Sequence, residues 1–159
     1  MDGLPEKGVY TLVIYVGCHA EVKVGSLGVL SFRPGFYLYT GSGMGPSGLR
    51  GRIRRHLRGR KHVFWHIDYL LEEPCASIWS VVASGSRARM ECEVNKALMA
   101  SLGAHAPFRG FGSSDCRSGC PAHLLFVGGE DPTDRVVSVY LGLGLRPVLL
   151  EVGRGLGGP

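Results

Sequence analysis

Residues 36–57 read FYLYTGSGMGPSGLRGRIRRHL, and this stretch decides the fold class. Phe36 to Thr40 is aromatic and β-branched, the composition of a strand. Gly41 to Pro46 breaks that strand with glycine and proline. Ser47 then stands as a helix N-cap, and Leu49, Ile53 and Leu57 recur every fourth residue as the narrow apolar stripe of a helix. A strand that turns directly into an amphipathic helix implies an α/β (α+β) domain in which a sheet is covered by helices.

On the N-terminal side, Gly8 to Val16 (GVYTLVIYV) is rich in β-branched and aromatic residues and reads as a strand. Ala20 to Val24 and Gly28 to Phe32 read as two short strands around a Gly25-Ser26 turn, and Pro34-Gly35 makes a further turn. The chain is therefore expected to open as an antiparallel meander. On the C-terminal side, Phe64 to Glu72 is a short helix ended by Pro74, and Ser77 to Ala83 is a strand. Arg87 to Leu102 carries Met90, Val94, Ala97, Leu98 and Leu102 at helical spacing, with Gly103 as its C-cap. A Gly/Ser-rich loop over 103–121 leads to a strand at His123 to Val127. Asp131-Pro132 opens a helix to about Leu141, and Val148 to Val152 closes as a strand. The expectation is one domain over residues 1–152, with a central mostly antiparallel or mixed sheet flanked by helices and a disordered tail over 153–159.

A chain of 159 residues with 45% hydrophobic content can bury a proper core. No apolar run reaches bilayer length, and the start, Met1 to Lys7, lacks signal-peptide character. Five cysteines, at positions 18, 75, 92, 116 and 120, are an odd and scattered set. That argues against a disulfide framework and for a reducing, cytoplasmic setting with no membrane partner.

The net charge of +5 is modest, but seven of the 18 cationic residues fall between Arg50 and Lys61. They are Arg50, Arg52, Arg54, Arg55, Arg58, Arg60 and Lys61. Such density attracts polyanions, and the guanidinium fork suits bidentate phosphate contact. A solvated surface helix would show the same charges. At about 100° per residue, Arg50, Arg54 and Arg58 turn towards solvent, whereas Arg52 and His56 flank the other edge of the apolar stripe.

Three motifs stand in order: Gly8-Val9-Tyr10 on a strand, Tyr39-Thr40-Gly41-Ser42 on a later strand, and Leu49-x-x-Arg52-Ile53-x-x-His56 on a helix. The set resembles the GIY-YIG nuclease superfamily. The segments Trp65 to Leu70, Glu91-Cys92-Glu93 and Phe111 to Cys116 are similar to a branch sometimes attached to endonuclease III-type glycosylases. The resemblance covers roughly residues 6–152. It implies a GIY-YIG-like fold with a hairpin inserted between the two tyrosine strands, and a metal-dependent endonuclease acting on nucleic acid, DNA rather than RNA, in repair. It further implies that a tyrosine orients or deprotonates the attacking water, that Arg52 stabilises phosphoryl charge, and that a glutamate holds one Mg²⁺ or Mn²⁺.

The expected catalytic set is thus Tyr10, Tyr39, Arg52, His56 and Glu91. Helical phase favours Glu91 over the alternative Glu93, since Glu91 falls closer to the apolar stripe. Arg52 and His56 are expected to supply a field that lowers a tyrosine pKa. Arg50, Arg54, Arg55, Arg58, Arg60 and Lys61 are the expected nucleic-acid contacts. Thr40 replaces the isoleucine of the name motif, and the superfamily's downstream asparagine has no clear counterpart. Ser113, Ser114 or Asp115 stands nearest it, and Ser114, Asp115 and His123 are read as auxiliary groups. Trp65 fits either a base-stacking platform or a core anchor. Cys116-x-x-x-Cys120-x-x-His123 offers zinc-type ligands, but one cluster without a second knuckle argues against zinc. A DNA glycosylase is the protein partner that the resemblance suggests. The alternatives are a non-catalytic nucleic-acid-binding module or a protein-interaction domain whose arginine helix meets an acidic partner.

Overall fold

The computed structural model describes residues 3–58, 62–112, 120 and 122–153. Its elements are β1 (Gly8–Val16), β2 (Ala20–Lys23), β3 (Val29–Phe32), β4 (Gly35–Ser42), α1 (Gly48–Leu57), α2 (His66–Leu71), β5 (Ala76–Gly85), α3 (Glu91–Leu102), β6 (Leu124–Gly128), α4 (Thr133–Gly142) and β7 (Val148–Glu151). The fold is α+β: a five-stranded sheet in the order β6-β4-β1-β5-β7, antiparallel at every pairing and covered by helices.

β1 lies at the centre and is buried on both faces, which is why its sequence runs apolar without polar alternation. Tyr10, Leu12 and Ile14 point to one side, where they pack in one core with Leu49 and Ile53 of α1 and Ile67 and Leu70 of α2. Val9 and Val13 belong to the opposite core, with Val94 and Leu98 of α3 and Val136 and Tyr140 of α4. Helix pairs thus cover the two faces of the sheet separately.

The opening is not a meander. β1 pairs with β4 and β5, while β2 and β3 pair with each other in a separate two-stranded sheet. Both edges of β1 are taken by longer partners, so the hairpin folds away and contributes Ala20, Val22 and Phe32 to the α1-side core. Helix α3 starts at Glu91, four residues after the expected Arg87, and ends on Gly103 in the left-handed conformation at φ 65°. At α4 the capping side chain is Asp131, whose Oδ1 accepts the Thr133 N–H at 2.9 Å. Ser47 makes no side-chain cap. The stripe of α1 is shorter than its spacing suggests: Leu49 and Ile53 are buried, but Leu57 at the last turn is 37% exposed.

Cys18 and Cys75 form a disulfide across 57 residues of chain, against the expectation of unpaired thiols. The sheet explains it. Val16 pairs with Ala76 at the end of the β1–β5 ladder, and the Gly17 N–H donates to the Cys75 carbonyl at 2.8 Å, so the ladder itself delivers the two cysteines to one another. Among the described residues it is the one disulfide, on a domain with two apolar cores. No helix among the described residues is long and apolar enough to cross a membrane. The expected disordered tail falls, from residue 154 on, outside the described residues.

Candidate active site

The β1–β4 register places Tyr10 opposite Gly41 and Leu12 opposite Tyr39, so both tyrosines sit on the α1 side of the sheet. Gly41 is a requirement of this packing, because a Cβ there would lie 2.5 Å from the Tyr10 hydroxyl. Thr40 points the other way. Its hydroxyl bonds that of Thr11 at 2.9 Å, and Thr11 bonds the Tyr140 hydroxyl at 2.8 Å. The threonine in place of the motif's isoleucine therefore joins a satisfied hydroxyl chain to α4.

Helix α1 delivers His56 beneath the sheet, 2% exposed, with its Nε2 2.7 Å from the Tyr10 hydroxyl. The His56 ring also lies 6.0 Å from that of Tyr39 and 5.7 Å from that of Trp65, centre to centre. Arg52, one turn earlier, sets its guanidinium 4.4 Å from the Trp65 ring centre. Cation–π contact of this kind contributes about 0.5–1 kcal/mol at exposed sites and more when water is excluded. Trp65 serves as an anchor: it carries Arg52 on its ring and Arg55 as well, at 4.3 Å.

Behind this platform sits Asp68, fully buried, whose carboxylate accepts both Arg55 guanidinium nitrogens at 2.9–3.0 Å and the N–H groups of Phe64 and Trp65 at 2.9 Å. Burial alone would raise its pKa, but the Arg55 bonds, the two backbone donors and the Arg55 charge outweigh it and hold the carboxyl below its ordinary value. Arg55 is consequently bound inward to Asp68 and to the His62 carbonyl, and it departs from the expected phosphate-contacting set. Arg50, Arg54 and Arg58 are exposed as the helical phase requires. Arg60 and Lys61 lie outside the described residues.

The tyrosines behave otherwise than expected. Burial raises the Tyr10 pKa well above its ordinary value, Tyr39 adds to the rise, and the Arg52 charge opposes it without prevailing. Tyr39 is pushed up to about 12, again by burial first, with Arg52 lowering it and the Asp68 and Glu91 charges raising it. Burial therefore favours the neutral form of both phenols. The field of one arginine does not offset the loss of water around two enclosed rings.

Although α3 packs on the far face of the sheet, its first turn brings Glu91 close enough to bear on Tyr39 and on His123. The Glu91 side chain is 18% exposed and one carboxylate oxygen, Oε2, is buried without a hydrogen-bond partner. Its other oxygen lies 3.7 Å from the exposed Arg89 guanidinium, a weak surface contact. A buried, unpartnered carboxylate oxygen suits a hard divalent cation, which takes oxygen ligands. Glu93 points to solvent.

The loop after α3 closes the same region. Gly112, at φ 70°, approaches so closely that a Cβ there would lie 2.9 Å from the Tyr39 ring and 3.5 Å from the His123 Cβ. Its N–H donates to His66 Nδ1 at 2.9 Å. His123 is buried, its Nε2 3.3 Å from the Cys92 sulfur. Ser113, Ser114, Asp115 and Cys116 lie outside the described residues.

Tyr10, Arg52, His56 and Glu91 thus all bear on one phenol, that of Tyr39. The family model described as domain of unknown function DUF123 matches residues 9–145, from β1 through α4. The chain belongs to the DUF123 family. No curated protein and no solved structure matches it significantly. Within this DUF123 chain three contributors escaped the sequence reading. Asp68 fixes Arg55 and Trp65; it lies inside the Trp65 to Leu70 segment, but that likeness gives it no role. Cys92 is adjacent to Glu91, but its partners lie some 30 residues on. Phe64, 76% exposed beside the arginine helix, shows only a hydrophobic letter at a helix boundary.

Proposed function

We propose that this chain is a divalent-metal-dependent endonuclease of GIY-YIG type that hydrolyses phosphodiester bonds in DNA, with repair beside a DNA glycosylase as the setting the sequence resemblance favours. The observation that carries the reading is the buried, unpartnered Glu91 oxygen next to the Tyr10–His56–Arg52 group around Tyr39. Exposed Arg50, Arg54 and Arg58 draw the polyanion to α1, and exposed Phe64 at the same end offers a ring to an unstacked base.

In this reading Arg52 meets the phosphoryl oxygens, held by its contact with Trp65. A divalent cation held by Glu91 would supply Lewis acidity at the phosphate and the leaving oxygen. In the tautomer that leaves His56 Nε2 unprotonated, the Tyr10 hydroxyl donates to it across their 2.7 Å contact, and the phenolic oxygen can then accept from the attacking water. As the water oxygen bonds to phosphorus and the P–O bond to the leaving strand breaks, the water proton passes to Tyr10 while the Tyr10 proton passes to His56. Tyr10 need never exist as phenolate, which fits its raised pKa. Metal-dependent cutting of labelled DNA, lost in chelator, tests the reading. Salt-sensitive binding without cutting by any metal would replace it with a binding module, a role that two neutral phenols also suit.

The solvent face of α1 should add affinity without chemistry. Replacing Arg50, Arg54 and Arg58 together by Ala is expected to weaken DNA binding. It should also flatten the slope of log K against log salt by about one unit per lost phosphate contact. An unchanged slope, measured by fluorescence anisotropy across a salt series, would mean that this face is only solvated.

A further inference from the structure

Cys92, Cys120 and His123 come from three places in the chain: the first turn of α3, the end of the long loop and the approach to β6. Their ligand atoms, two sulfurs and one imidazole nitrogen, all lie within 4.8 Å of one another, and Cys92 Sγ stands 3.3 Å from His123 Nε2. Cys120 and His123 are buried, and Cys92 is partly so. Around a tetrahedral zinc ion, bond lengths of about 2.3 Å to sulfur and about 2.0 Å to nitrogen separate neighbouring ligand atoms by roughly 3.5–3.8 Å. The observed group brackets that spacing, so a small side-chain adjustment completes the coordination.

We propose that Cys92, Cys120 and His123 form a zinc site, separate from the proposed Glu91 site and independent of the nuclease reading. Two thiolates and one neutral imidazole are zinc chemistry, and they are the wrong donors for Mg²⁺, which takes oxygen. Binding converts two thiols to thiolates and releases two protons to solvent, and the two negative charges balance the ion. Three protein ligands leave one tetrahedral position for water. The site would pin the start of α3 to the strand entry at His123. It would act beside the hydrogen bond that the Asn95 side-chain amide, one turn further along α3, already donates to the Ala122 carbonyl at 2.8 Å. Because Cys92 follows Glu91 directly, the zinc would hold Glu91 in position.

The test is metal content and cobalt spectroscopy on the full chain, purified under reductant. After dialysis the wild type is expected to retain one zinc per chain. Exchange for Co²⁺ should give the intense charge-transfer absorption of cobalt–thiolate bonds, a readout that needs no variant. Cys92→Ser and Cys120→Ser should each weaken zinc binding at least about a hundredfold, beyond the ~10–100-fold typical of groups outside the coordination sphere. His123→Ala should do the same while His123→Cys restores binding, which separates a lost ligand from a lost fold. Glu91→Gln should keep its zinc. No zinc and no thiolate absorption in folded wild type would overturn the site, as would zinc retained by the Cys92→Ser/Cys120→Ser double variant. Loss of zinc in Glu91→Gln would overturn the separation of the two sites. None of these outcomes depends on whether the protein cuts DNA.

Discussion

Glu91→Gln is expected to reduce metal-dependent cleavage of DNA to below about one-hundredth of wild type while leaving equilibrium binding to DNA intact, the rate loss being on the scale of removing one principal charge-stabilising group. Glutamine keeps the volume and the buried position of Glu91 but removes the charge that a divalent cation needs. The α1 arginines that draw DNA are untouched by the change. Arg52→Ala should fail differently. A charged donor to the phosphoryl oxygens serves both the bound substrate and the transition state, so affinity and rate should fall together, the rate by about a hundredfold. Glu93→Gln, at a solvent-facing position, should behave as wild type. Cleavage and binding measured on one substrate for the four proteins decide the matter. An active Glu91→Gln with a dead Glu93→Gln would move the cation to the other side of α3.

The largest effect on stability is expected at Asp68. Its carboxylate is buried against Arg55, whose side chain is 21% exposed, and it takes four hydrogen bonds from Arg55 and two backbone N–H groups. Asp68→Asn strands the guanidinium without its counter-charge and turns an amide NH₂ towards donors. Breaking a buried pair from one side costs about 3–5 kcal/mol, and the partial exposure of Arg55 puts the expected loss at the lower end. The pH dependence has a definite sign. The folded-state pKa of Asp68 lies below the unfolded value of about 4, so its contribution is complete above that pH and is lost as pH falls through the folded value. Wild type and Asp68→Asn should therefore differ most at neutral pH and converge in acid. Urea midpoints across that range measure it, and a difference that grows on acidification would contradict the assignment. Since Asp68 also holds the Phe64–Trp65 backbone, the variant should loosen the Trp65 platform under Arg52.

What could be read in advance follows from the range of the interactions. Strand β1, the solvent face of Arg50, Arg54 and Arg58, and the inward turn of Glu91 against Glu93 all follow from the local period of strand or helix. The end of the α1 stripe did not, because Leu57 lies past the point where the helix leaves the core. Register decides what spacing cannot. Cys18 meets Cys75 only through the β1–β5 ladder, and Cys92 meets Cys120 and His123 only once α3 packs beside β6. The contiguous motif over residues 116–123 therefore proposed a ligand group without its member on α3. The tyrosine pKa values were misjudged for a related reason: the cations nearby were visible in the sequence, whereas the burial that outweighs them belongs to the assembled sheet.

The most direct test of a catalytic centre around Tyr39 is to incubate wild type and Glu91→Gln side by side with end-labelled duplex, branched, gapped and single-stranded DNA and matching RNAs, in Mg²⁺, in Mn²⁺ and in chelator. Wild type should produce discrete fragments from at least one DNA in the presence of metal, and neither the chelated reactions nor Glu91→Gln should do so. Fragments that persist in chelator, or equal cutting by wild type and Glu91→Gln, would contradict the assignment of Glu91 and the metal-dependent chemistry built on it.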